Sequence, residues 1–341
     1  MDKRVLVVTG PTATGKSALG VALAKRLDGE ILSADSMQVY RGMDIGTAKV
    51  TALEMQGVPH HLLDIADPNE SFSAARWVAS AAECAEAVFA RGRVPILVGG
   101  TGLYIDSLLD RRDFAESGDV DLRAELSAEY DRVGGEAFRE RLREVDPARA
   151  EKLAPADKKR LVRALEVWRL TGETISAHDE KTRALPPRWP SLRVALTYAD
   201  RAALYARIDA RVEEMAAAGL FEEAARLLEA GLSPDSTAMQ AIGYKESVDY
   251  LEGRCTEAEA IDAIQRASRR YAKRQLTWLR RDPDIRWIAW DGAPDIPAAA
   301  ETVLGWWDGT ISEKTDCHAG VRRLAMTGEQ GAADAEKEAN R

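Results

Sequence analysis

The feature that most restricts what this 341-residue chain can become is an eight-residue stretch near its start, Gly10-Pro11-Thr12-Ala13-Thr14-Gly15-Lys16-Ser17. It follows the apolar run Val5-Leu6-Val7-Val8 and precedes an apolar-periodic segment from Ala18 to Leu27. The order is strand, glycine loop, helix, and the spacing G-x-x-x-x-G-K-S is that of a phosphate-binding loop. Glycines let the backbone curl so that successive N–H groups point at one anion. The N-terminal end of the following helix adds partial positive charge. In such a loop Lys16 reaches a terminal phosphate and Ser17 holds a magnesium ion. A plain glycine turn between strand and helix uses the same residues, and the motif does not say what the phosphate belongs to.

The chain is long enough for a sizeable core and more than one domain. Its 45% hydrophobic and 30% charged residues fit a soluble globular protein. No apolar run approaches a membrane span, so no membrane contact is expected. Met1-Asp2-Lys3-Arg4 enters a strand directly, which leaves no room for a signal peptide. Cys84, Cys255 and Cys317 are odd in number, far apart and without zinc spacing. A reducing, cytoplasmic location is the simplest inference. The net charge of -9 argues against a general nucleic-acid binder. It leaves room for a local basic face, because binding depends on where charge sits.

After the first helix, Ile31 and Leu32 read as a short buried strand in Glu30-Ile31-Leu32-Ser33-Ala34-Asp35-Ser36. Asp35 and Ser36 lie just past its carboxyl end, where open α/β sheets place ligands. Asp35 suits a helix N-cap or an Asx turn as well as a general base. The segment Gln38–Lys49 is polar and glycine-punctuated, a long loop of the kind that carries function. Pro59-His60-His61 leads into Leu62-Leu63-Asp64-Ile65, which reads as another strand, with the two histidines as polar loop residues. Ser71 to Arg91 is a helix with an apolar stripe of Trp77, Val78, Ala81, Cys84, Ala85 and Val88. Val94-Pro95-Ile96-Leu97-Val98 is a fully apolar strand followed by Gly99-Gly100-Thr101-Gly102-Leu103-Tyr104. This second strand–glycine turn–helix junction places Thr101 at a helix start, as a cap or as a site residue. The strand ends without the aspartate that holds the magnesium water in an ordinary nucleoside triphosphatase. These units predict an α/β fold: a P-loop NTPase-like core with a parallel sheet flanked by helices, plus an all-helical insertion.

The insertion is expected over residues 117–186, where the texture turns helical and salt-bridge-laced, with the core in residues 1–116 and 187–308. Within it, Asp157–Trp168 is an amphipathic helix with cations in its first turns, which oppose the helix dipole unless an anion meets them; a solvated helix face is the commoner explanation of such a run. Leu192–Thr197 returns to strand character. Arg207 and Arg211 share a face of the helix Arg201–Ala217. Ala258 to Arg281 carries Arg266, Arg269, Arg270, Lys273, Arg274, Arg280 and Arg281 at three-to-four spacing, with Tyr271 and Trp278 one heptad apart. That pattern is a plausible phosphate-backbone reader, and equally a basic stripe balanced by acidic neighbours. Residues 285–288 read as a last strand and Pro297 to Trp307 as a last helix. Residues 309–341 are polar and small, expected to be disordered.

Taken together, eight stretches resemble one family, the tRNA dimethylallyltransferases of bacterial type. They are Gly10–Ser17, Ser33–Ser36, Tyr40–Lys49, Pro59–Asp64, Leu97–Tyr104, Arg163–Val167, Ile242–Glu246 and Lys273–Arg280. They run in order to about Trp307, and the set is highly specific although the loop alone is not. The resemblance implies transfer of a dimethylallyl group from dimethylallyl diphosphate to the N6 amine of the adenosine 3′-adjacent to the anticodon in tRNA. It implies Asp35 as the base and Thr101 as a catalytic positioning group. The diphosphate falls to Gly10, Thr12, Ala13, Thr14, Gly15, Lys16, Ser17 and Arg211, with Mg2+ on Ser17. Contact with the tRNA anticodon stem-loop falls to Asp35, Ser36, Met37, Gln38, Arg123, Lys159, Arg160, Leu161, Val162, Arg163, Lys273, Arg274 and Arg280. The enzyme is expected to act as a monomer. Thr14 departs from the serine frequent in the family, and Cys317 with His318 cannot complete a zinc finger.

The residue types suit that chemistry. An adenine amine is a poor nucleophile, and a carboxylate placed to take its proton is a sensible general base. Charge that grows on a departing diphosphate needs fixed cationic and N–H partners. A P-loop kinase of a nucleotide or small metabolite is the rival reading; it leaves the basic helix 266–281 and the Gly42–Lys49 loop unexplained.

Overall fold

Short apolar runs alternating with helix-periodic segments build a parallel sheet covered on both faces. The computed structural model describes residues 3–111, 114, 119–310 and 321–322. The elements begin β1 (Val5–Thr9), α1 (Lys16–Leu27), β2 (Gly29–Ser33), α2 (Ala52–Met55), β3 (His60–His61), α3 (Ala74–Ala90), β4 (Val94–Val98) and α4 (Gly102–Leu109). Five helices follow: α5 (Val120–Val133), α6 (Gly135–Val145), α7 (Pro147–Lys152), α8 (Lys158–Thr171) and α9 (Ile175–Arg183). The chain returns through β5 (Ser191–Tyr198), α10 (Arg201–Ala217), α11 (Leu220–Glu229), α12 (Tyr244–Leu251) and α13 (Glu257–Leu279). It closes with β6 (Arg286–Trp290), α14 (Ile296–Asp308) and the two-residue β7 (Val321–Arg322).

The strand order is β3-β2-β4-β1-β5-β6-β7. The pairs from β3 to β6 are parallel, and β7 lies antiparallel against β6. Every residue of β1 and β2 is buried, as a sheet covered on both faces requires. On one face Leu6, Val8, Ile31, Ile96, Val194, Leu196 and Trp290 pack with Leu19 and Leu23 of α1 and Val303 of α14. On the other, Trp77 of α3 is buried and its Nε1 donates to Ser33 O at 3.2 Å. Helix α1 lies so close to the sheet that a Cβ on Gly20 would sit 2.6 Å from Val98 Cγ2. Truncating Leu19 or Leu23 there would cost about 2–5 kcal/mol.

Two compact units emerge: Met1–Ile105 with Trp189–Arg341, and Asp106–Arg188. The second begins inside α4, earlier than the boundary expected at 117. Its core is Leu126, Phe138, Leu142, Ala150, Leu153, Leu161, Val162, Ala164 and Leu165. Asp146, also buried, accepts from the N–H groups of Arg149 and Ser176 and so ties α7 to α9.

Two local expectations change. Residues 62–65 are not a strand: pairing with β2 ends at His61, and Leu62 and Asp64 have positive φ, so the chain turns there. The histidines are the strand; His61 Nε2 lies 2.6 Å from Glu30 Oε2, and His60 Nδ1 lies 2.9 Å from Val58 O. The expected disorder of the tail falls largely outside the described residues; Val321–Arg322 pairs with β6.

Candidate active site

The loop after β1 curls because alternate residues take left-handed backbone. Ala13 has φ 63° and Gly15 φ 84°, a pattern that turns neighbouring N–H groups toward one concavity. Gly10 is required for a different reason, since a Cβ there would collide with the Leu196 carbonyl of β5. The loop is braced from within by Thr14 Oγ1, which donates to Pro11 O at 2.8 Å. From outside, Trp290 Nε1 donates to Thr14 O at 3.0 Å and Thr12 N–H donates to Gln275 Oε1 at 3.2 Å. The Thr12 amide is therefore already engaged.

Lys16 opens α1, and its Nζ donates to Pro11 O at 2.6 Å across the loop. Burial, and then the charge of Arg211, bring its pKa down from 10.5 to about 7, with Asp35 opposing. Arg211 of α10 is likewise lowered, by burial first, with Asp35 again the main opposing charge. Desolvation disfavours the charged forms of both cations, a cost that a nearby anion would relieve.

Asp35 sits at the carboxyl end of β2. Its Oδ1 accepts from Met37 N–H at 2.9 Å, an Asx turn. Among the described residues Oδ2 takes no hydrogen bond, so the turn leaves one oxygen for a proton. The ends of β2 and β4 are stitched together. Ala34 N–H donates to Val98 O at 2.9 Å, Thr101 N–H to Ala34 O at 3.1 Å, and Ser36 N–H to Thr101 Oγ1 at 3.1 Å. Gly99 is needed at this crossing, where a Cβ would strike the Ala34 backbone. Thr101 is thus anchored across the strands, beside the Asp35 turn.

Helix α13 closes the second glycine turn. Gln275 Nε2 donates to Gly100 O at 3.0 Å, and side chains at Gly100 and Gly102 would collide with Gln275 and Trp278. Tyr271 shares side-chain hydrogen bonds with Thr101 and Gln275, and burial pushes its phenol up to about 12. Tyr271, Gln275 and Trp278 occupy one helical face, so the two aromatics face the site residues. Their heptad spacing was the available signal.

The basic face of α13 is also thinner than its spacing promises. Arg266 pairs with Asp262 and Arg269 with Asp209 of α10. Lys273, Arg274 and Arg280 are exposed, with Arg274 over the Tyr271 ring. Gln38 spends its amide internally: Oε1 accepts from Ser33 Oγ at 3.0 Å, and Nε2 donates to Thr47 O and Ala48 O at 3.2 and 3.3 Å. Ser36 and Met37 are half-buried.

In the helical unit, α8 is capped by Asp157, which accepts from Arg160 N–H. Lys159 and Arg160 are exposed on its first turn. Leu161 and Val162 are core residues, so their side chains are not surface contacts. The fully buried Glu166 holds Arg123 at 3.0 Å and Arg163 at 2.9 Å.

The residues 38–282 match the model of a family described as IPP transferase, and residues 3–71 match one described as isopentenyl transferase. The chain belongs to the IPP transferase family. This transferase is 48% identical over 289 residues to the tRNA dimethylallyltransferase of Carboxydothermus hydrogenoformans, across 84% of this chain and 92% of that protein. It is 42% identical over 314 residues to the tRNA dimethylallyltransferase of a Thermoanaerobacter species, across 92% of this chain and all of that one. Among solved structures it resembles the full-length tRNA isopentenylpyrophosphate transferase of Bacillus halodurans, with a TM-score of 0.67 and 43% identity over 90% of this chain and 96% of that one. It also resembles a eukaryotic dimethylallyltransferase acting on tRNA, with a TM-score of 0.77 and 27% identity over 93% of this chain and 82% of that one. None of these relatives is named a kinase.

No described helix of the transferase is long and apolar enough to cross a membrane. The described residues contain no cluster of three or more His, Cys, Asp or Glu to hold a metal. Ser17 is exposed on the first turn of α1 and offers one hydroxyl oxygen. That donor set fits magnesium, which is commonly held by few protein ligands plus substrate phosphates and water.

Proposed function

We propose that this transferase moves a dimethylallyl group from dimethylallyl diphosphate to the exocyclic N6 amine of the adenosine 3′-adjacent to the anticodon in tRNA, releasing diphosphate. The observation that carries the reading is the stitched end of β2 and β4. It holds Asp35, with one uncommitted carboxylate oxygen, beside Thr101 and within electrostatic reach of Lys16 and Arg211. The names of the relatives support the substrates.

The N6–carbon bond forms as the allylic carbon–oxygen bond to diphosphate breaks. The electron pair of the broken bond leaves with the diphosphate, and the amine proton passes to Asp35 Oδ2. Lys16, Arg211 and the free N–H groups of Gly10–Ser17 receive the leaving group. Losing one such partner typically costs about 2.7–4 kcal/mol, or about 10²–10³ in rate. Ser17 would hold a magnesium ion, which supplies positive charge to the diphosphate oxygens. Thr101 fixes the position of the Asp35 turn.

The tRNA contacts are assigned to the exposed cations Lys159, Arg160, Lys273, Arg274 and Arg280, with Arg123 and Arg163 held ready by Glu166. The acceptor is the anticodon stem-loop, whose target base leaves the stack to be reached. The enzyme works as a monomer in the cytoplasm. The test is to incubate protein, magnesium, dimethylallyl diphosphate and unmodified tRNA, then digest the tRNA and seek a prenylated adenosine by mass spectrometry. Product with free AMP and none with tRNA would overturn the acceptor.

A further inference from the structure

The loop Gly42–Lys49 has no regular secondary structure, yet it is pinned from below by a buried carboxylate. Glu223 of α11 is 3% exposed. Its oxygens accept from Asp44 N–H and Ile45 N–H at 3.0 Å and from Gly46 N–H at 3.2 Å. The Tyr244 hydroxyl donates to Glu223 Oε1 at 2.5 Å. Four donors nearly exhaust what a carboxylate can accept. A Cβ on Gly46 would lie 2.5 Å from the Tyr244 ring, so the backbone can approach only as glycine. Burial, then the neighbouring Glu223, push the Tyr244 phenol up, which keeps it the donor.

The other end of this loop is joined to the active site. Thr47 and Ala48 carbonyls accept from Gln38 Nε2, and Gln38 Oε1 accepts from Ser33 at the end of β2. Between Ser33 and Gln38 lies the Asp35 turn. The geometry points to Glu223 as a positioning residue for the transfer: it sets the Asp35–Gln38 turn through the Asp44–Ala48 backbone and the Gln38 amide. This rests on the reading that Asp35 takes the acceptor's proton. Glu223 touches no reacting atom; it decides where the loop that holds Gln38 can sit.

Replacing Glu223 by Gln puts an NH2 group among four donors, and the loop must shift. A displacement of the order of 1 Å at reacting groups can cost about 10²-fold, so a loss of about tenfold in kcat is expected here. Dimethylallyl diphosphate affinity should be unchanged, because Glu223 touches neither residues 10–17 nor Arg211. Coupling supplies the sharper readout. Gln38→Met breaks the same path one step later, so the kcat losses of Glu223→Gln and Gln38→Met should not multiply in the double variant. Tyr244→Phe removes one donor and keeps three, giving a smaller loss of the same kind; it replaces Glu223→Gln in the cycle should that variant not fold.

The expected result is a kcat loss at unchanged donor affinity with strong non-additivity. Losses that multiply, or a kcat equal to the parent's, would overturn the assignment. Prenylation of tRNA by the parent protein is measured alongside. Its absence would overturn the reading of function instead, so the two failures are distinct.

Discussion

The backbone N–H of Ser36 donates to Thr101 Oγ1 at 3.1 Å, joining the residue after the proposed base to the turn that follows β4. With Thr101 N–H on Ala34 O, this closes a short ring around Asp35. Thr101→Val keeps the shape and loses the acceptor. Its kcat should fall about tenfold or more, with thermal stability lowered by about 1 kcal/mol. Thr101→Ser should retain most turnover. Equal activity in the two variants would show that the hydroxyl does not matter.

Lys16 makes a prediction about protons. Its pKa of about 7 is low because burial and Arg211 disfavour the charged form. A bound diphosphate favours that form and raises the value. Below pH 7 the amine is already protonated, so binding takes up little. Well above pH 7 the free amine is largely neutral, and binding should take up close to one proton where the bound diphosphate keeps the amine charged. Calorimetry of dimethylallyl diphosphate binding at pH 8.5 in buffers of different ionisation enthalpy reads this number. Lys16→Met should abolish the uptake.

Lys159 of α8 and the paired Arg269 of α13 should respond differently to neutralisation. Lys159→Ala should lower the salt dependence of tRNA binding by about one unit of slope, and Arg160→Ala by less, because Arg160 pairs with Asp157. Arg269→Ala should leave the slope in place, because that guanidinium is already paired with Asp209. Filter binding across a salt series separates the two.

Gly100 and Gly102 lie under Gln275 and Trp278. Gly102→Ala must displace the Trp278 indole, and overpacking of this kind costs about 1–3 kcal/mol. Thermal melts should show the loss, and a smaller residue at 278 should restore part of it.

Much of this was legible in the residues because it is local. The strand–loop–helix order around Gly10–Ser17, the apolar strand Val94–Val98 and the placement of Asp35 and Thr101 past strand ends all follow from spacing and period. The position of Asp35 allows an N-cap, an Asx turn or a base role, and only tertiary placement shows that the turn leaves Oδ2 for a proton. What could not be read depends on partners distant in sequence. Glu223 looks like one more acid in an amphipathic helix until the Asp44–Gly46 backbone is set above it. Arg269 looks unpaired by local spacing until Asp209 of α10 is brought beside it, whereas the Asp262–Arg266 pair is an i,i+4 contact within α13 that the spacing already carried. Leu161 and Val162 sit inside a basic run whose helical period already turned them inward. Residues 62–65 are apolar enough for a strand, yet positive φ at Leu62 and Asp64 turns the chain away from β2.

The central claim is that Asp35 removes the proton from the acceptor amine while the phosphate loop independently holds the leaving group. Single-turnover prenylation of unmodified tRNA by Asp35→Asn, with dimethylallyl diphosphate affinity measured on the same preparation, tests it most directly. The predicted result is a rate lowered by at least about 10² with donor affinity within about twofold of the parent. A near-parental rate would contradict it.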